Sequence, residues 1–143
     1  METHADLGYR LLSGSGSEVL ELGATIARCH HERFDGSGYP LGLRGGEIPV
    51  EARIVAIADV FDALTADRVY RAAVSIDRAV QMMKADAGHF DPDLLDVFVR
   101  RLDLVKGIWA IHHPNGLIIR DQRPATSRPD HAVATNGVAA SET

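Results

Sequence analysis

The 143-residue chain contains one cysteine, Cys29, so no internal disulfide can form, and such sparing use of thiols points to a reducing, cytoplasmic setting. Long apolar runs are missing as well. The longest stretches, such as IVAIA at residues 54–58, are far too short to cross a bilayer. The N-terminal METHADLGYR is polar where a secretory leader would be apolar. Positive charge is scarce: 15 Lys and Arg against 20 Asp and Glu leave a formal net charge of −5. That balance gives no general attraction for a nucleic-acid polymer or an anionic membrane, so any bound phosphate needs a local cluster of cations. No internal repeat is visible. What is present is an apolar fraction of 45%, ordinary for a globular chain and sufficient for a core of one domain's size.

The periodicity is helical. ADLGYRLLS at residues 5–13 reads as the end of a helix, stopped by the flexible SGSGS at 13–17. Ser17 is placed to cap a second helix reaching about His31, with Glu18 and Glu21 in its first turn. Five glycines and two prolines from Phe34 to Pro49 predict a long loop, and such loops are usually functional or disordered. A third helix runs from Pro49 to Ala66, with Ile54, Ile57, Ala58, Phe61 and Thr65 expected along one inward stripe. Ser75 caps a helix over residues 76–87, stopped by Gly88, and Asp91 caps another with Pro92 at its first position. Leu94, Leu95, Phe98, Val99 and Leu102 should face inward from it. Residues 104–120 read as a short hairpin about Pro114, Asn115 and Gly116, or as an extension. Residues 121–143 are poor in large apolar side chains and read as a disordered tail. The fold class is all-α.

Several residues could carry chemistry. His30 and His31 are adjacent, about 100° apart on a helix, so each suits a different ion of a cluster better than the pair suits one. Asp59 lies off the apolar stripe of its helix, Asp62 shares its face, and His4 offers a further nitrogen. Imidazole and carboxylate donors suit iron, zinc or manganese, whereas the lack of paired thiolates argues against structural zinc. The plain alternative is a histidine pair balancing a helix dipole beside solvated acids, and the residues alone leave both readings open. Arg68 and Arg71 fall one helical turn apart after Asp62, and arginine forks suit phosphate. Cations beside carboxylate-held metals are what phosphodiester hydrolysis requires. His112 and His113 have no acid beside them and do not fit as ligands.

Three segments carry a resemblance: METHADLGYRLL (1–12), HHERFDGSGYPLGLRGGEIPVEARIVAIADVFDALTADRVYR (30–71) and AGHFDPDLLDVF (87–98). In order and spacing the chain resembles the HD-GYP family of bacterial phosphodiesterases, a subgroup of the HD phosphohydrolases that open cyclic di-GMP. The resemblance implies a helical HD-type bundle and a site of two or three divalent ions of iron or manganese type. It matches His4, His30, His31 and Asp59 to metal ligands, Arg68 and Arg71 to contacts with substrate phosphate, and Asp62 to an acid beside the cluster. Gly38, Tyr39 and Pro40 are the motif that names the family, in a loop with Asp35 and Gly36 implicated in substrate access and partner contacts. The implied partners are cyclic di-GMP, a diguanylate cyclase, and an upstream sensor or receiver domain. Val69 stands where proline is commoner and Phe34 where tryptophan is frequent.

The family's His-Asp pair should lie upstream of His4, and no such pair occurs in the chain. Residues 1–103 are therefore expected to correspond to the C-terminal part of an HD-GYP domain. Helix faces that earlier helices would cover should then be left apolar and open, favouring self-association. Two functional readings follow. One is a cyclic di-GMP phosphodiesterase module; the other is a non-catalytic interaction module working through the loop at 35–46, or an inactive remnant of the enzyme.

Overall fold

The computed structural model describes residues 3–67 and 72–113. Arg68 and Arg71, the turn expected at Pro114, and the tail expected over 121–143 lie outside the described residues. Among those described there are helices and no strand: α1 (Thr3–Leu12), α2 (Glu18–Cys29), a single 3-10 turn (Gly45–Glu47), α3 (Val50–Thr65), α4 (Ile76–Ala85), α5 (Pro92–Arg100) and α6 (Leu102–His112). None is long and apolar enough to cross a membrane.

The helix starts follow local chemistry. Ser75 Oγ accepts the Arg78 N–H at 3.3 Å and opens α4. Asp91 Oδ1 accepts the N–H groups of Asp93 (3.0 Å) and Leu94 (3.3 Å) ahead of Pro92, which suits a first helical turn. Ser17 occupies the cap position of α2, but its side chain accepts no capping bond. Glu21 instead reaches back to the Ser15 N–H at 3.0 Å. The fourth helix ends at Ala85 rather than 87, because Asp86 begins the turn that Gly88 completes at a φ of +86°.

The main core joins Ile57, Phe61 and Leu64 of α3 to Ala79, Val80 and Met83 of α4 and to Phe90. Leu94, Leu95, Phe98 and Val99 of α5 pack against it as the sequence predicts. The inward stripe of α3 needs correction, since Ile54 and Ala58 are exposed and the buried set is Ala52, Ala56, Ile57, Phe61, Leu64 and Thr65. α6 is a second correction. Residues 104–120 read as a short hairpin or an extension, and of these 104–112 are helical, with Leu102, Val105 and Trp109 packed on the core. The Trp109 Nε1–H donates to Thr65 Oγ1 at 3.0 Å, and that hydroxyl donates to the Phe61 carbonyl at 2.8 Å. Burial of the indole thus comes with a satisfied donor, which favours the helix over an exposed hairpin.

The α1–α2 hairpin is built differently. Its buried residues are small: Ala5 of α1, Ala24 and Cys29 of α2. Its large apolar side chains point outward, with Leu11 75% and Val19 76% exposed and Leu7, Leu20 and Leu22 also open. Together with Ile54 of α3 these leave large apolar side chains open on α1, α2 and α3.

Candidate metal centre

Small residues set how close α1 comes to α2, and that spacing delivers His4. A Cβ on Gly8 would lie 3.0 Å from the Ala27 Cβ, and Ala5 and Ala24 are fully buried in the same seam. Arg28 adds a latch, its guanidinium carbon 4.5 Å above the Tyr9 ring centre and its Nε 3.4 Å from Asp6 Oδ1. The result is a cluster of three imidazoles. His4 Nε2 lies 3.0 Å from His31 Nε2, and one ring nitrogen from each of His4, His30 and His31 falls within 4.8 Å of the others.

His30 and His31 converge more closely than ideal helical spacing suggests. α2 ends at Cys29, and His31 lies beyond the helical turn, so the two ring centres come to 4.0 Å. His30 Nδ1 faces the carbonyls of Ala27 at 2.9 Å and Ile26 at 3.1 Å. Carbonyls only accept, so Nδ1 carries the proton and Nε2 keeps its lone pair for a ligand. Burial pushes the His31 imidazole below its ordinary pKa, His30 and His4 push it further, and Asp59 opposes them. A neutral imidazole is the form that binds metal.

Asp59 is exposed on α3 and contributes no oxygen to the three-nitrogen cluster, although its charge reaches His31. Asp62 is exposed one turn further on. The structure therefore gathers three of the four expected ligands and leaves the carboxylate nearby.

The Gly-rich loop is held in place rather than loose. Gly36, Gly38, Tyr39 and Pro40 wrap back against the end of α2, with the Tyr39 N–H bonded to the His31 carbonyl at 3.3 Å and a cis peptide bond between Tyr39 and Pro40. The Tyr39 ring stacks on His31 with centres 4.9 Å apart. Asp35 Oδ1 accepts from the Ser37 hydroxyl at 2.6 Å and its N–H at 2.9 Å, which holds the Asp35 carboxyl below its usual range. The loop also docks on the turn between α4 and α5: Phe34 N–H to His89 O at 3.0 Å, Asp35 N–H to Gly88 O at 2.9 Å.

Four residues of this assembly were not singled out by sequence reasoning. Glu32 is 2% exposed and accepts the N–H groups of Leu41 (2.7 Å) and Leu43 (3.0 Å). Arg33 pairs with Asp86 at 2.6 Å, and His89 Nδ1 meets the same carboxylate at 2.7 Å. The Arg33 hydrogen bond, reinforced by His89, holds the Asp86 carboxyl below its ordinary value against its partial burial. An acid placed between two histidines and a glycine-rich loop was the available signal for Glu32. Nothing local pairs residue 33 with residues 86 and 89.

Three converging imidazoles, one with its tautomer fixed by backbone carbonyls, fit a divalent transition-metal ion. A family model described as "HD domain" matches residues 1–94. The chain belongs to the HD domain family. HD domains are metal-dependent phosphohydrolases, which agrees with the donor set and with the HD-GYP resemblance. Among curated relatives, a cyclic di-GMP phosphodiesterase response regulator of Xanthomonas campestris pv. campestris is 52% identical over 101 residues, covering 70% of this chain and 27% of that protein. A cyclic di-GMP phosphodiesterase of Thermotoga maritima is 43% identical over 101 residues, with the same two coverages of 70% and 27%. A 3'3'-cGAMP-specific phosphodiesterase of Vibrio cholerae is 39% identical over 104 residues, 72% of this chain and 20% of the relative. The chain thus spans about a quarter of the length of the first two relatives, 27% of each.

Since the α1–α2 seam positions His4 in this HD domain, widening it should weaken the cluster. Gly8→Leu is expected to lower Mn²⁺ affinity about tenfold or more, by displacing one imidazole. Gly23→Ala is the control, because its Cβ would sit at an ordinary 3.5 Å from Leu12. Calorimetric titration of both variants with Mn²⁺ checks the difference.

Proposed function

We propose that the chain forms part of the catalytic centre of an HD-GYP-type phosphodiesterase, with His4, His30, His31 and Asp59 holding divalent ions of iron or manganese type. The observation that carries this reading is the three-imidazole cluster. A divalent ion bound there would supply the Lewis acidity that phosphodiester hydrolysis needs. The chain's own contribution is a neutral His31, a His30 whose Nε2 is kept available, and a seam that brings His4 to both. In this reading Arg68 and Arg71 bind phosphate oxygens of the substrate, and Asp62 stands beside the ligand Asp59.

The substrate we assign is cyclic di-GMP. Its support is the identity to relatives named for it, and the relative named for 3'3'-cGAMP keeps the substrate class to cyclic dinucleotides with two phosphodiester links. One relative is named a response regulator, which supports a receiver domain as the regulatory partner. A diguanylate cyclase is the partner we assign to the loop on the HD-GYP resemblance alone. The test is Mn²⁺ or Fe²⁺ uptake and cyclic di-GMP turnover by the wild-type chain and by His30→Ala. Wild-type uptake with at least about a tenfold loss of affinity in the variant is expected. A wild-type chain that takes up neither ion would sink the proposal.

A further inference from the structure

We propose that Glu32 is a positioning residue: its carboxylate clamps the Gly-rich loop so that Tyr39 lies on His31 and fixes the direction of that imidazole. Glu32 follows His31 directly, yet it contributes no oxygen to the imidazole cluster. Its two oxygens divide between two backbone donors, Leu41 N–H on Oε1 at 2.7 Å and Leu43 N–H on Oε2 at 3.0 Å. Among the described residues no cationic side chain pairs with it, and it is 2% exposed. Burying a carboxylate is costly, so those two charge-assisted bonds hold both the acid and the loop.

The bonded residues flank Gly42, just beyond Tyr39 and Pro40. Holding Leu41 and Leu43 therefore fixes the chain on the far side of Tyr39, while the Tyr39 N–H to His31 carbonyl bond fixes the near side. Between these two anchors the phenol ring is laid on the imidazole at 4.9 Å with an interplanar angle of 29°. His30 has its ring set by the carbonyls of its own helix. His31 lies beyond the end of α2, and the stacked Tyr39 takes the place of such carbonyls. The acid between histidine and loop thus makes the loop's position and the cluster's geometry one structural unit.

The affinity arm of the test rests on the metal reading above, and the other arms do not. Glu32→Gln is nearly isosteric, but its amide offers one acceptor and sets an NH₂ against one of the two N–H donors. The expected result has three parts: amide exchange at Leu41 and Leu43 faster by about tenfold or more, changed His31 imidazole resonances in the metal-free protein, and Mn²⁺ affinity lower by about 10- to 100-fold. Tyr39→Leu is the second variant and decides the matter should Glu32→Gln not fold. It removes the ring and spares the clamp, so His31 resonances and Mn²⁺ affinity should change while Leu41 and Leu43 stay protected. Rapid exchange in Glu32→Gln with His31 unaltered would overturn the proposal, as would unaltered His31 resonances in Tyr39→Leu. If the wild-type chain binds no Mn²⁺, the metal reading fails, and the exchange and resonance results still decide the clamp.

Discussion

Replacing Gly38 with alanine is expected to strip the loop from the end of α2 and lower Mn²⁺ affinity by at least about tenfold. The reason is steric and concerns the backbone. A Cβ at this position would overlap Arg33 N and lie 2.6 Å from both Glu32 Cα and the His31 carbonyl oxygen. None of these atoms belongs to a flexible side chain that could swing aside. Overpacking usually costs about 1–3 kcal/mol, and with a rigid backbone on every side the loop must leave as a unit. Tyr39 would then come off His31, and the Glu32 carboxylate would lose Leu41 and Leu43. Gly46→Ala is the matched control, since its Cβ meets nothing within 4 Å. Amide exchange over residues 39–45 and Mn²⁺ titration should change in the first variant and stay as wild type in the second. Unchanged protection in Gly38→Ala would mean that the close approach of loop and helix end does not hold in solution.

That contact also shows where sequence reading stops. The helices of the body were legible because Pro92 behind Asp91, Ser75 before Ile76, and regular apolar spacing are local signals. The convergence of His4, His30 and His31 was legible only through the family resemblance. Helical geometry alone argued against His30 and His31 holding one ion together, because it could not show that α2 ends at Cys29. The inward stripe of α3 was misread for a related reason. That helix is apolar on most sides, and only tertiary packing, which sets Leu64 in the core with α4 and buries Ala56, selects these two over Ile54 and Ala58. The hairpin reading of residues 104–120 rested on the turn signal at Pro114, Asn115 and Gly116, whereas the fit of Trp109 over Thr65 belongs to a helix that reaches His112. Glu32 and Arg33 escaped notice because their partners are 9 to 56 residues away, and the neighbours Asp86 and His89 because it is Arg33 that ties them to the loop. Such pairings exist only once the loop has met the turn between α4 and α5.

The second large effect is expected at Asp91, where one carboxylate joins two parts of the fold. Oδ1 caps α5, while Oδ2 lies 2.6 Å from Arg53 Nη1 on α3. The Asp91 side chain is 8% exposed and that of Arg53 21%, so the pair is largely shielded from water. Losing a cap costs about 1 kcal/mol, and leaving a buried charge without its partner costs about 3–5 kcal/mol. Because Arg53 keeps some access to water, Asp91→Ala should lose about 2–4 kcal/mol in denaturant unfolding, a large share of a typical domain's 5–15 kcal/mol. Asp91→Asn keeps a capping oxygen and gives up the charge, so it should lose less than Asp91→Ala. The gap between the two variants reports the cap, less the cost of setting the Asn NH₂ against the Arg53 donor. The pH dependence follows from the same contacts. Burial raises the Asp91 pKa, but the Arg53 hydrogen bond and the N–H groups of Leu94 and Asp93 outweigh it and hold the carboxyl below its ordinary value. An acid held low in the folded state binds fewer protons than in the unfolded chain, so its stabilisation is complete above about pH 4 and is lost as the pH falls through the folded pKa. Wild-type stability should therefore drop more steeply below about pH 4 than that of Asp91→Asn. Parallel acid profiles for the two proteins would remove Asp91 as the electrostatic link between α3 and α5.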